Sequence, residues 1–145
     1  MKEEIWALII KRPFINLILE GKKTWELRKS NTKIRGLIAL ISKGKLYGFV
    51  NLTNTFRIKV SELKAFEHMH RAGRILKRYA GGREELYVWV LSSPLRLPKP
   101  IKVTYPRGVR MWTKLKVKKI IRKLRAEGLN DLAMELELRV SEQDS

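Results

Sequence analysis

Apolar positions recur along this chain with two different periods. Ile5 to Ile10 is apolar at every position, the pattern of a strand covered on both faces, and it predicts a strand through the middle of the fold. Thr24–Lys29, Leu37–Ser42, Tyr47–Thr55 and Leu86–Leu91 read as further strands, with Lys43-Gly44-Lys45 as the turn between two of them. Leu95, Leu97, Ile101 and Val103 continue among prolines as an irregular edge strand. Trp6 and Trp89 sit inside apolar runs and are assigned to the core. Three short helical stretches separate the strands. Pro13 starts one carrying Phe14, Leu17 and Ile18, which Gly21 stops. Ser61 is positioned to cap a second, with Leu63, Phe66 and Met69, that ends near Gly73. Ile75, Leu76 and Tyr79 form a third, broken at Gly81–Gly82.

Past residue 113 the period changes. From Lys114 to Arg125, Val117, Ile120, Ile121 and Leu124 make one apolar stripe at helical spacing, and seven cations fill the rest of the circumference. Gly128 offers a stop. Asn130 is positioned to cap a second helix with Leu129, Leu132, Ala133, Leu136 and Val140 on one side. The pattern predicts an α+β protein: a compact, mostly antiparallel β-barrel with short helices over residues 1–113, and a basic-then-acidic helix hairpin over 114–145 packed on it.

Charge changes the picture more than composition does. The 145 residues, 44% of them apolar, suffice for one core without disulfide or metal, and there is no cysteine. The net charge is +18. Glu127 to Ser145 holds six acids (Glu127, Asp131, Glu135, Glu137, Glu142, Asp144) against Arg139 alone; removing that −5 leaves +23 on Met1 to Ala126. Such a field repels itself unless counter-charges are usually present, and phosphate is the commonest source of them. Either the surface is a solvated basic face, or it meets nucleic acid, with RNA preferred over DNA. The basic helix sharpens the choice: Lys114 and Lys118, Lys118 and Arg122, and Lys119 and Lys123 are like charges four apart, each pair costing roughly 0.2–0.5 kcal/mol. Bound phosphates would relieve that repulsion, as would Glu135 and Glu137 of the second helix. The N-terminal apolar run is too short to span a bilayer and is broken by Lys11, Arg12 and Pro13, so the reading is cytoplasmic, with no membrane insertion. Abundant charge and aliphatics with a single glutamine hint at a heat-adapted, thermophile source.

Specific chemistry concentrates in Gly21-Lys22-Lys23-Thr24-Trp25-Glu26-Leu27-Arg28. Strand alternation puts Thr24, Glu26 and Arg28 on one face and Trp25 and Leu27 on the core face. Gly21 permits a tight helix-to-strand turn that exposes Lys22 and Lys23. A carboxylate flanked by a lysine and an arginine is held ionised. It either works as a base or orders two cations that grip a phosphate; the structural alternative is an ion-pair cluster closing the barrel mouth.

The spacing Gly21, Lys23, Glu26, Arg28 resembles the G-x-K-x-x-E-x-R signature of the ASCH domain, the activating signal cointegrator 1 homology domain. Other pieces follow in order: Ile10-Lys11-Arg12-Pro13-Phe14, Arg35-Gly36, Gly48-Phe49-Val50, Leu86-Tyr87-Val88-Trp89-Val90-Leu91, then Pro106-Arg107-Gly108 and Trp112. The resemblance covers about residues 5–115. It implies a small archaeal-type protein with a PUA-like barrel, a fold widely used to bind RNA, and a cleft under the signature segment. It also implies an alternative, since some bacterial members hydrolyse acylated cytidine with a lysine, a threonine and a glutamate. Lys23 falls on the lysine, but Glu26 occupies the threonine's position and Thr24 lies two residues earlier. A carboxylate does not replace a hydroxyl nucleophile without another mechanism. In a hydrolase acting on acylated cytidine or on RNA itself, Lys23 and Glu26 would be the catalytic pair, with Glu67 a candidate for the separate glutamate.

No cofactor or metal is implied. His68 and His70 stand two apart on a helix, a poor metal pair, and both aspartates lie in the acidic tail. Tyr105 and Trp112, beside Arg107 and Arg110, are candidates for base stacking. The full interface expected for RNA is Lys11, Arg12, Lys22, Lys23, Arg28, Arg107, Arg110, Trp112, Lys114, Lys118, Lys119 and Arg122. The remaining rival is a surface adaptor whose basic helix meets an acidic protein or an anionic membrane.

Overall fold

Six strands form one sheet in the spatial order β2-β5-β4-β3-β1-β6. The structure, a computed structural model, describes residues 2–143, so Asp144 of the acidic stretch lies outside the described residues. The strands are β1 (Glu4–Ile9), β2 (Trp25–Arg28), β3 (Gly36–Ser42), β4 (Lys45–Lys59), β5 (Glu85–Lys102) and β6 (Trp112–Lys116). The helices are α1 (Phe14–Leu19), α2 (Glu67–His70), α3 (Leu76–Ala80), α4 (Val117–Ala126) and α5 (Asn130–Glu142), with a 3-10 segment at Val60–Phe66. Only β1 and β3 pair in parallel, because the chain passes through α1 and β2 between them; the other four pairings are antiparallel.

The expected closed barrel is corrected to an open, mixed sheet. The end strands β2 and β6 are four and five residues long and do not pair with each other. The sheet curls instead, through three register shifts between the long strands β4 and β5. Side chains fill the seam: the Arg28 guanidinium donates to the Ile9 carbonyl at 3.2 Å, and Trp89 stacks on Trp112 with ring centroids 5.7 Å apart. Gly48 lies at one close approach of β4 and β5, where an added Cβ would stand 2.4 Å from the Leu95 carbonyl oxygen.

Alternation along the strands feeds a core in three parts. Ile5, Ala7, Ala39 and Phe49 face α4 and α5, meeting Val117, Ile121 and Leu136. Leu8, Ile38 and Leu40, on the opposite face, meet Ile15 and Ile18 of α1 and the buried Trp89. Leu27, Val88 and Leu86 close a third cluster with Leu63 and Ala80 of the segment between β4 and β5. The apolar run at Ile5–Ile10 is thus an interior strand, as its pattern predicts, covered on both faces from Ala7 onward.

Several boundaries move. Trp6, assigned to the core, is 38% exposed, because β1 lies one strand from the sheet edge and no helix covers that corner. Ser61 does not cap: the chain leaves β4 with the Val60 N–H already bound to the Glu84 carbonyl, and the 3-10 segment begins there. Leu95–Lys102 is continuous with Glu85–Leu91 in one strand, and that half pairs only with β4. Lys114 and Lys116 lie on β6, opposite Trp6 and Glu4 of β1, so the basic helix starts at Val117 and the boundary drawn at residue 113 falls inside a strand. Asn130 opens α5 without capping it; Leu129 holds that position with no side-chain hydrogen bond. No helix among the described residues is long and apolar enough to cross a membrane.

Candidate nucleic-acid interface

The site begins where α1 stops. Gly21, at φ +78°, reverses the chain, and the Lys22 and Lys23 N–H groups both donate to the Leu17 carbonyl, at 2.9 and 3.1 Å. This turn exposes Lys22 but sends Lys23 inward, correcting the expectation that both are exposed: Lys23 is only 2% exposed. Its ammonium donates to the carbonyls of Trp25, at 2.7 Å, and His70, stands 3.5 Å from Glu26 Oε1, and lies 5.0 Å from the centre of the Phe14 ring. Three protons thus meet three oxygens. Burial holds its pKa below the ordinary 10.5, and the Glu26 carboxylate partly offsets that.

Strand alternation in β2 is as predicted, but its polar face is not open. Trp25 and Leu27 go to the third cluster, where Trp25 meets Phe56 and Phe66. Glu26, on the other side, is buried because the curled sheet brings β1 across it. Its Oε2 accepts from Arg28 Nε at 2.8 Å. The Arg28 guanidinium also lies over the Trp89 ring, 5.4 Å from its centre. The carboxylate is therefore tied at both oxygens, to Lys23 on one side and Arg28 on the other.

Above this pair opens a pocket of about 250 Å³. Glu26, Arg28 and Lys23 form its floor, Phe14, Ile75, Leu76 and Tyr79 its walls, and the exposed Lys11 and Arg110 its mouth. Burial raises the Tyr79 phenol above its ordinary pKa, so it stays a hydrogen-bond donor at neutral pH. By sequence, Tyr79, Leu76 and Phe14 count only as the apolar side of short helices. Nothing in a five-residue helix such as α3 distinguishes a core wall from a pocket wall, so no periodic signal was there to find.

The remaining predicted residues divide by face. Lys118, Lys119 and Arg122 are exposed on α4, outside its buried stripe and on the side of the sheet away from the pocket. Among the described residues none of the three forms an ion pair; Glu137 takes Arg125 and Glu135 takes Arg139 of its own helix. Arg12 and Arg107 are exposed outside the pocket, and Lys22 stands 3.5 Å from Glu20. Trp112 is half-buried between Trp89 and Trp6. Tyr105 is not placed for stacking: it packs on the first cluster, and its hydroxyl accepts from the Gly44 N–H at 2.9 Å.

The other chemistries find structural explanations. His70 is buried; Nδ1 accepts from the Ala72 N–H at 2.9 Å, so Nε2 donates to the Leu63 carbonyl at 2.8 Å and the ring is a neutral tie. Glu67 accepts from the Gly73 N–H and lines a separate hollow beside Lys64 and Arg74. Thr24 Oγ1 turns to Met69 Sδ, away from the pocket.

An open, curled α+β sheet with a buried Lys-Glu-Arg cluster beneath a pocket defines a class. Residues 8–122 match the ASCH domain family, and the chain belongs to it. The match runs past Trp112 into α4. The fold is shared with crystal structures of an ASCH protein from Zymomonas mobilis, one unsubstituted and two of point variants. They superpose with TM-scores of 0.60, 0.64 and 0.63 at 20% identity, covering 83% of this chain and 93–96% of theirs. No curated protein matches the chain.

Proposed function

We propose that this protein binds single-stranded RNA, taking one unstacked base into the pocket over Glu26 while cations at the mouth meet the flanking phosphates. The observation that supports this is the tethered carboxylate on the floor of an apolar pocket. Glu26 is an acceptor whose position Lys23 and Arg28 fix before any ligand arrives, and the walls offer aromatic and aliphatic surface to a planar ring. A base with an amino donor, such as cytosine, would use a remaining lone pair of the carboxylate, whereas one presenting only acceptors there would meet it lone pair to lone pair. Lys11 and Arg110 at the mouth supply sequence-independent attraction. What supports binding over acyl transfer is that the lysine and glutamate of the lining are already engaged with each other, with Arg28 and with backbone carbonyls, and that no serine, threonine, cysteine or histidine lines the pocket among the described residues.

The test is affinity for short single-stranded RNAs that differ at one base, with Glu26→Gln as the probe. That change keeps the shape but converts one acceptor into a donor. Preference among bases should shift by about tenfold or more, while affinity averaged over sequences changes less. A Glu26→Gln protein that discriminates bases as the unsubstituted one does, while melting earlier, would reduce the cluster to a structural ion pair.

A further inference from the structure

Arg28 is the first member of a side-chain ladder that leaves the pocket. Its guanidinium covers one face of Trp89; Trp112 stacks on that ring with planes 16° apart; Trp6 meets Trp112 edge-on at 6.0 Å; and Lys114 Nζ lies over the Trp6 ring at 4.7 Å. The register explains the order. On paired β1 and β6, Trp6 stands opposite Lys114 and Leu8 opposite Trp112, so alternate residues put these side chains on one face. Burial falls along the ladder: Trp89 is fully buried, Trp112 half-buried, and Trp6 is 38% exposed. A tryptophan held in place by its inner neighbours and open at its outer end has little to do for the core. β6 is an edge strand and runs directly into α4, so this corner joins the pocket face of the sheet to the basic helix on the other side.

We propose that the Trp6–Trp112 corner, with Lys114, is a stacking platform for a second base of the same nucleic-acid strand whose neighbour occupies the pocket. This inference rests on the nucleic-acid reading of the pocket. Charge selects the occupant: Arg110 stands on one side of the corner and Lys114 on the other, while Arg28 is paired with Glu26 and Lys116 stands opposite Glu4. A strand carrying one phosphate per base offers both a ring for the tryptophan and charge for the cations around it. The relative sizes of two contacts say what happens to Lys114. A cation over an exposed ring is worth roughly two- to five-fold in an equilibrium constant, and a base stacked on it roughly five-fold or more. The base therefore displaces the lysine, which is freed to meet the phosphate beside it. Trp6 and Lys114 thus serve as the ring and the counter-charge of one nucleotide site.

The experiment uses the full chain with two probes, cytidine monophosphate for the pocket and a mixed-sequence single-stranded RNA octamer for pocket and platform together. Trp6→Ala should lower octamer affinity by about tenfold and leave the mononucleotide unchanged. Trp6→Phe, which keeps a smaller ring, should lose only a few-fold. The octamer, and not the mononucleotide, should quench tryptophan fluorescence, and Trp6→Phe should remove most of that quenching, a readout that survives if the alanine variant folds poorly. Unchanged octamer affinity in Trp6→Ala overturns the platform and leaves the pocket reading standing. A concentration-dependent dimer lost in Trp6→Ala with RNA affinity intact also overturns it, assigning the corner to a second copy of the chain. If the unsubstituted protein binds neither probe, both readings fall.

Discussion

Lys23 is buried with its ammonium against Glu26 and two backbone carbonyls. Its spacing from Glu26 and Arg28 is visible in the sequence, but its burial is not. Burial follows from the Leu17 carbonyl capturing two successive N–H groups at the Gly21 turn, and from the His70 carbonyl arriving from 47 residues away. With its three donors engaged, Lys23 is a strut that positions Glu26 and ties β2 to α2, and in the proposed complex the phosphate contacts would fall to its exposed neighbours. Replacing it by methionine leaves a buried carboxylate and two carbonyls without their partner. We expect Lys23→Met to cost about 3–5 kcal/mol in denaturant unfolding even though the lysine itself is expensive to bury. The pH dependence carries an opposite sign. Burial lowers the folded pKa below the unfolded value of 10.5, so between the two the unfolded chain binds more protons and stability contributed by Lys23 rises with pH. Melting curves taken up to that pH should show this rise in the unsubstituted protein and not in Lys23→Met. The same rise in both would mean that another group is titrating.

At the scale of elements, periodicity located nearly every strand and helix and failed where tertiary pairing decides. The Val117–Ile120–Ile121–Leu124 stripe is buried as its spacing demands. Lys114 and Lys116 fit the same helical wheel, yet both lie on a strand, because β1 offers an unpaired edge that a helix cannot satisfy. Two of the anticipated like-charge repulsions survive this change, Lys118 with Arg122 and Lys119 with Lys123. The Lys123 ammonium turns to the Lys102 carbonyl, and α5 relieves only Arg125. Lys118, Lys119 and Arg122 remain as exposed charge with no protein partner among the described residues, at the far end of the path that passes Trp6. Reversing all three to glutamate should weaken binding to unrelated RNAs alike, since contacts to phosphate position a strand without reading it. The melting temperature should change little, because the three side chains lie outside the buried stripe. Affinity and melting measured on one preparation test both halves. Unchanged affinity would leave α4 as a solvated face.

For the whole molecule, the sequence conveyed the balance of charge and the family but not the closure of the sheet. Closure depends on whether β2 and β6 meet, and strands of four and five residues instead leave a seam filled by Arg28, Trp89 and Trp112, which no local pattern encodes. That seam opens the pocket on one face while the basic helix occupies the other, so cations predicted as one patch are distributed around an edge. The +23 on Met1 to Ala126 is offset by α5 at Arg125 alone among the cations of α4, and most of the field reaches solvent. A strand running from Lys11 and Arg110 past Lys114 to Lys118, Lys119 and Arg122 would cover about six phosphates. Each contact on a single strand releases counterions worth about −0.7 in the logarithmic dependence of affinity on salt, so the slope should lie near −4. The triple reversal on α4 should make that slope shallower by about two, whereas Trp6→Ala should shift the line without tilting it, because stacking releases no counterions. Heparin measured in parallel separates charge from recognition. It should share the steep slope yet show no response to Trp6→Ala, and an affinity for heparin or anionic lipid equal to that for RNA would favour a general basic adaptor. A slope near zero for RNA would remove phosphate as the reason for the charge, whatever the pocket binds.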